Sequence, residues 1–363
     1  MNTKIMNLLN GLPDNIDGVF VDAILITSPI NNFYFSGFRS SSGAMLITKD
    51  VAYRLVDFRY YEAAKRSCIG CESILFESLT DKLKELFKKH NLKNVLLESD
   101  DLTISSAYKM RKSFNEIRVK TIEDDTLCNA IKKVRMIKTS DEIELIKISQ
   151  SITDKAFSYI LNFIKEGLTE KEIAIELEFF MRRNGAESAA FDVIVASGEN
   201  SSLPHAVPSN REIKKGDIVT IDMGAVVGGY HSDMTRTIFI GWADQEKIDV
   251  YNIVLQAQVS AIKALKPNAS SLSVDKAARD IIYKKGYRGC FGHSTGHGVG
   301  LEIHEDPRLS PKSDFVLNPG MVVTVEPGIY LNNKFGVRIE DMLLITDTGF
   351  ENLTYSDKNV IVI

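Results

Sequence analysis

Four acidic residues lie inside runs that otherwise read as buried β-strands, and a sheet can take in such a set only if something cancels the charge. Ile218 to Ala225 (IVTIDMGA) carries Asp222, and Ser232 to Ile240 (SDMTRTIFI) carries Asp233. Gly228-Gly229 mark a turn between them, and a two-residue loop at Val227-Gly228 sets Asp222 directly opposite Asp233. Directly paired residues in a hairpin have Cβ atoms about 4.5–5.5 Å apart on one face. Carboxylates that close repel unless a cation or a shared proton sits between them. The pattern then repeats. Met321 to Tyr330 (MVVTVEPGIY) carries Glu326, Val337 to Thr346 (VRIEDMLLIT) carries Glu340, and a short turn at Asn332 to Lys334 brings those two opposite each other. A solvated acidic patch on a hairpin edge is the plainer reading, but the apolar flanks oppose it. Four unpaired charges in an apolar sheet cost too much, whereas two divalent cations cancel them.

The histidines sharpen this reading. The chain has 6, and three fall in Gly292 to Glu305 (GHSTGHGVGLEIHE). His293 and His297 are spaced like the histidines of a zincin helix, but the intervening glutamate is missing and Gly292, Gly296, Gly298 and Gly300 disfavour a helix. A close-packed bend that lets His297 reach the carboxylates is expected instead. The glycines do not make a dinucleotide fingerprint, because the spacing and the strand-turn-helix context are absent. His205, in the proline-bounded loop SSLPHAVP, reads by itself as a surface residue, although such loops often carry catalytic groups. His231 and His90 read as incidental.

Bulk properties exclude several classes. With 363 residues the chain is long enough for two domains, and 25% charged with 44% hydrophobic residues is ordinary for a globular protein. A net charge of −4 argues against a nucleic-acid-binding surface. No run approaches the roughly 18 apolar residues of a membrane span, and Met1 to Leu12 does not read as a signal peptide, so a cytoplasmic enzyme is expected. Cys68 and Cys71 form a C-x-x-C, but half a zinc site with no nearby completion reads as two ordinary thiols. Cys128 and Cys290 read as structural.

The fold class expected is α+β. Residues 1–125 alternate strand-like runs (18–27, 43–48, 94–97) with helical ones (80–90, 103–114), which makes a small α/β domain. Residues 126–138 read as a basic linker, and residues 139–363 as a second, catalytic domain. Its first two helices open with capping boxes, Thr139 to Glu142 and Thr169 to Glu172. Helices at 246–265 and 273–285 follow, the latter closed by Gly286. Two helix pairs, each followed by strands, hint at a duplicated half-domain.

The C-terminal part resembles the pita-bread metallopeptidase family (M24), and the whole chain resembles its prolidase and aminopeptidase P branch. The carrying segments are VRMIKTSDEI (134–143), FDVIVASGENSSLPH (191–205), VTIDMGAVVGGYHSDMTRT (219–237), His293 to Glu305, Thr324 to Tyr330 and GVRIED (336–341), with NFYFSGF and DFRYYEAA in the N-terminal part. The resemblance implies a pita-bread fold behind a smaller creatinase-like α/β domain. It implies Asp222, Asp233, His297, Glu326 and Glu340 as ligands of two divalent ions. Given the oxygen-rich donor set, Mn²⁺ is favoured, with Co²⁺, Fe²⁺ or Zn²⁺ as alternatives. Further roles follow from it: Glu326 in proton transfer, His205 and His304 in oxyanion stabilisation, His293 beside the metals, Arg338 behind a ligating carboxylate, and Arg308 on the substrate's carboxylate. The implied reaction is hydrolysis of Xaa-Pro bonds in short peptides by a metal-bridging hydroxide, in a homodimer. A methionine aminopeptidase, a proline-indifferent dipeptidase and a non-catalytic binding protein of the same fold are the alternatives.

Overall fold

The alternating patterns of the N-terminal third assemble into one mixed sheet. The computed structural model describes residues 1–363, which divide into two units, Met1–Arg135 and Met136–Ile363. In the first, α1 (Thr3–Gly11) and a small hairpin of β1 (Asn15–Ile16) and β2 (Val19–Phe20) lead into β3 (Ala23–Ile26), α2 (Pro29–Ser36), β4 (Ala44–Thr48) and β5 (Ala52–Val56). Then come α3 (Phe58–Ser67), β6 (Glu72–Leu75), α4 (Leu79–Lys89), β7 (Asn94–Leu97), α5 (Ile104–Asn115), β8 (Lys120–Ile122) and α6 (Thr126–Met136). The strand order is β6-β5-β4-β3-β7-β8, antiparallel at β3/β4 and β4/β5 and parallel elsewhere. Leu25, Leu46, Leu83, Phe87, Val95 and Phe114 fill its core.

Two readings change here. The single strand expected over 18–27 is broken at Asp22, whose carboxylate leaves the ladder to accept the backbone N–H groups of Lys93 (2.9 Å) and Asn94 (2.8 Å). The expected linker is helical as far as Met136. Leu127, Ala130 and Ile131 are buried at helical spacing, so Lys132 and Lys133 form the wet face of an amphipathic helix, while Arg135 is itself buried and donates to Asn31 Oδ1 at 2.9 Å.

The second unit opens with α7 (Ser140–Phe163) and α8 (Glu170–Arg183), both with the expected capping boxes. After β9 (Ser188–Ala189), β10 (Ile194–Ser197) and a 3₁₀ turn (Gly198–Ser202) come β11 (Ile218–Met223), β12 (Ala225–Val227), β13 (Tyr230–His231) and β14 (Met234–Phe239). Helices α9 (Gln245–Ala264) and α10 (Ser271–Lys284) precede β15 (Gly296–Gly298), β16 (Glu305–Leu309), β17 (Val322–Val325), β18 (Gly328–Leu331), β19 (Phe335–Arg338), β20 (Asp341–Ile345) and β21 (Phe350–Asn352). The sheets are β10-β11-β14, β13-β12-β9, β16-β15-β17-β20-β21 and β18-β19. Each helix pair covers one half: Ile160, Ile173 and Leu177 pack on Ile221, Met223 and Ile238, while Val250, Val254 and Val274 pack on Val323, Val325 and Leu343. Burying each such side chain is worth roughly 1.5–3 kcal/mol, which makes the sheets a stiff platform for the residues between them.

The register of the first acidic hairpin differs from expectation. The turn residues are Gly228-Gly229, both at positive φ (57° and 85°), with Val227 paired to Tyr230. Asp222 therefore pairs with Thr235 rather than Asp233. The shift is two positions, so Asp233 stays on Asp222's face but on a diagonal, where the separation is about 7–8 Å. The second hairpin keeps its expected register. Val325 pairs with Asp341 and Gly328 with Arg338, a continuous alignment that sets Glu326 opposite Glu340. Both glutamates sit in a gap between two ladders, because Pro327 has no N–H to donate.

Candidate metal centre

Hydrogen bonds to backbone carbonyls bring the two hairpins together. The Glu340 N–H donates to the Thr235 carbonyl (3.1 Å), and the Thr237 hydroxyl donates to the Arg338 carbonyl (2.9 Å). Period-two alternation then aims Asp233 and Thr235 at the same space as Glu340. Asp222, Asp233, His293, His297, Glu326, Arg338 and Glu340 line one cavity of about 530 Å³, with His205, His304 and Arg308 towards its mouth. The structure thus gathers every site residue picked from the sequence. The donor atoms of Asp233, His297 and Glu340 lie within 4.8 Å of one another.

His297 comes from the glycine-rich segment, which bends at residues 293, 295 and 300 around the short inner strand β15. The glycines are there for close approach: a Cβ at Gly296 would lie 1.9 Å from the Thr324 carbonyl oxygen, and one at Gly298 2.3 Å from that of Asp306. Burial, with the neighbouring His304, pushes the imidazole down to about 3, so the ring is neutral. Its Nδ1 lies 3.1 Å from the Gly298 carbonyl, which can only accept, so Nδ1 carries the proton. Nε2 is left with a bare lone pair 3.5 Å from Asp233 and 3.5 Å from Glu326. A lone pair facing two carboxylates is repulsive unless an electrophile lies among them.

The carboxylates report the same deficit. Burial, then Glu340, Asp222 and Glu326, raise the Asp233 carboxyl well above the usual range. Burial, then Glu326 and Asp222, do the same to Glu340, although the Thr235 hydroxyl donates to it at 2.7 Å. Glu326 is pushed up to about 8, chiefly by burial, against the pull of Arg338. Asp222 accepts Arg338 Nη2 on Oδ2 at 2.6 Å, but its Oδ1 is buried with no partner. One guanidinium cannot neutralise four carboxylates. An orphaned carboxylate oxygen, a deprotonated imidazole nitrogen and a predominantly oxygen donor set fit hard or borderline divalent cations.

A second layer fixes these groups. Arg338 also donates to the Thr235 hydroxyl (3.0 Å), the Pro204 carbonyl (3.2 Å) and the Tyr330 hydroxyl (2.9 Å). Tyr330 lies 2.9 Å from His293 Nε2, and His293 Nδ1 lies 2.8 Å from the Ser294 carbonyl. His293 is therefore held as a neutral ring, its pKa pushed down to about 4 by burial and Arg338, with both nitrogens occupied. His304 packs edge-on against His297, ring centroids 4.4 Å apart. The sequence reading missed Tyr330 and Thr235. Strand alternation was the available signal: Glu326-x-Gly328-x-Tyr330 and Asp233-x-Thr235-x-Thr237 each share one face.

Comparison with known proteins finds relatives of both units. Residues 144–347 match metallopeptidase family M24, and residues 10–137 match the creatinase/prolidase N-terminal domain. An Xaa-Pro dipeptidase of Pyrococcus furiosus is 42% identical over 362 residues, covering 99% of this chain and 100% of the relative. The solved Xaa-Pro dipeptidase from Bacillus anthracis superposes with a TM-score of 0.94 at 42% identity, covering 99% of each chain. An X-Pro aminopeptidase from Thermotoga maritima superposes at 0.89 with 38% identity, over 94% of this chain and 98% of that one. Fold and family define a metallopeptidase whose chain carries a creatinase-type N-terminal domain followed by a pita-bread catalytic domain. The chain belongs to the M24 family, and its close relatives are prolidases and aminopeptidase P-like proteins.

Proposed function

We propose that this chain hydrolyses the Xaa-Pro bond of short peptides, using two divalent ions held by Asp222, Asp233, His297, Glu326 and Glu340. The observation that carries the reading is the His297 Nε2 lone pair 3.5 Å from each of two carboxylates. Bound divalent ions supply a hydroxide nucleophile at neutral pH and polarise the scissile carbonyl. Mn²⁺ suits the oxygen-rich set best.

The protein's own groups do the rest. Glu326, with one carboxylate oxygen 3.5 Å from His297 and the other 3.9 Å from His293, takes the proton of the attacking water and returns it to the leaving nitrogen. A proline nitrogen leaves poorly unless protonated, so a positioned acid is needed. His304 and His205 at the cavity mouth donate to the oxyanion, a service worth roughly 2.7–4 kcal/mol per donor in other hydrolases. Arg308, on β16 and lining the same cavity, receives the substrate's free carboxylate. Tyr330 and Arg338 hold Asp222 and His293 in place. The working unit is a homodimer.

The test uses chain stripped with a chelator and reloaded with Mn²⁺, assayed on Met-Pro, Met-Pro-Ala and Met-Ala-Ser. Metal-dependent cleavage of the proline substrates, with Met-Ala-Ser spared, is the expected result. Cleavage of Met-Pro but not Met-Pro-Ala assigns a dipeptidase, and cleavage of Met-Pro-Ala an aminopeptidase. Turnover of Met-Ala-Ser at the same rate, or turnover untouched by the chelator, overturns the reading.

A further inference from the structure

Glu170, the first residue of α8, is fully buried outside the cavity, and its carboxylate is met by hydrogen bonds from two distant points of the chain. One oxygen accepts the N–H (2.7 Å) and the hydroxyl (2.7 Å) of Ser197. The other accepts the N–H (2.9 Å) and the hydroxyl (2.7 Å) of Ser209. Asn200 Nδ2 reaches both oxygens, at 3.1 and 3.2 Å. Arg211 pairs with Asp217 instead (2.6 Å), and donates to the Ser197 hydroxyl at 2.7 Å. A carboxylate taken out of water needs this many donors, and the N-terminus of α8 favours its charge. Burial pushes the carboxyl up, but the bonds from Ser197 and Ser209 outweigh it and hold it below the ordinary value.

The two serines are the ends of one loop. Ser197 closes β10; the chain then makes the 3₁₀ turn, carries His205 to the cavity mouth and returns at Ser209. Apolar packing does little to hold this loop, since Leu203 and Val207 are 55% and 83% exposed. Its first half is tied down: the Ser201 hydroxyl accepts the Gly336 N–H at 2.9 Å, and the Pro204 carbonyl accepts Arg338 at 3.2 Å. After His205 the next hydrogen bond to the body of the unit is at Ser209. The His205 side chain is exposed and makes no hydrogen bond, so the loop backbone alone sets its reach.

We infer that Glu170, in the hydrolysis proposed above on which this role depends, is a positioning residue: by closing Ser197 and Ser209 on one carboxylate it fixes His205 where the oxyanion forms. Only an acceptor with two oxygens can answer both ends. Glutamine in its place turns an NH₂ towards the N–H of one serine, which leaves that end without an acceptor. A shift of about 1 Å in a group that meets the transition state can cost on the order of a hundredfold.

The experiment measures Met-Pro turnover and amide hydrogen exchange on the full chain reloaded with Mn²⁺. Glu170→Gln should lower kcat by about tenfold or more, with metal content unchanged. Exchange should quicken over residues 198–208 and stay slow in β11 and β14. Independent sites multiply their losses within about twofold. In a His205→Ala background, Glu170→Gln should instead cost less than about twofold, because the group it positions is gone. Ser209→Ala, which removes a single hydroxyl donor, should show a smaller loss that His205→Ala also absorbs, and it decides the matter if Glu170→Gln does not fold. An active wild-type chain whose folded variants keep full turnover, or lose the same factor with and without His205, overturns the positioning role and leaves the hydrolytic reading standing. So does unchanged loop exchange. A wild-type chain inert on Met-Pro overturns both.

Discussion

Glu340 and Asp341 are neighbours in sequence, and both side chains are removed from water, yet their surroundings differ completely. They point to opposite faces of the sheet. Asp341 receives Arg236 Nη2 at 2.8 Å, Gln258 Nε2 at 2.9 Å, Asn352 Nδ2 at 3.1 Å and the Lys358 ammonium. Burial alone would raise its carboxyl, but Arg236 and Lys358 outweigh that and hold it below the ordinary value. Glu340 faces three other carboxylates and one shared guanidinium, and its carboxyl is raised. A protein that can fully compensate one buried acid leaves the next one open. That contrast separates a structural ion pair from a site built for a ligand.

Breaking the compensated side should cost stability. Asp341→Asn strands the Arg236 charge, and denaturant unfolding should show a loss of about 3–5 kcal/mol. Breaking the open side should cost activity instead. Asp233→Asn removes a donor that no protein group replaces. Its kcat/KM should fall more than about a hundredfold, beyond the usual loss for a residue that only supports a ligand, while the metal-free chain unfolds at or above the wild-type temperature. A variant at Asp233 that loses stability as Asp341→Asn does would erase the distinction.

The same contrast gives opposite pH dependences. Asp233, Glu326 and Glu340 have raised carboxyls in the fold, so the folded chain holds protons that the unfolded chain has released. Stability of the metal-free chain should therefore fall as pH rises from near 4.5 through about 8, the folded value of Glu326. Asp341, with its lowered carboxyl, contributes stability that is present above the unfolded value and lost only in acid. Melting curves of the chelated chain should decline between pH 5 and 8, and Mn²⁺ should restore more at pH 8 than at pH 5, because metal displaces those protons. A flat profile would mean the acids are compensated after all. The smallest effect expected is that of Tyr330→Phe, which removes the hydroxyl joining Arg338 to His293. Activity should fall roughly tenfold, with unfolding little changed.

Much of the site was legible because its carriers are local. An acid in an apolar strand, a glycine turn and a second acid can be read within twenty residues, and Glu326 and Glu340 met in the expected register. The Asp222 pairing was off because either Val227-Gly228 or Gly228-Gly229 can make the turn; two positive-φ positions in succession favour the glycine pair. Compensation was not legible. Arg236, Gln258, Asn352 and Lys358 come to Asp341 from four separate segments, and nothing in DMLLI distinguishes Asp341 from Glu340 before it. The helix at 126–136 was obscured by its basic residues.

The central claim is that the open acids hold cations, and metal stoichiometry tests it most directly. Calorimetric titration of the stripped, folded chain with Mn²⁺, checked by elemental analysis after gel filtration, should find two ions per chain, with proton release, and fewer in Asp233→Asn. A folded wild-type chain that retains no ion, or an Asp233→Asn chain that binds as many as wild type, would contradict it.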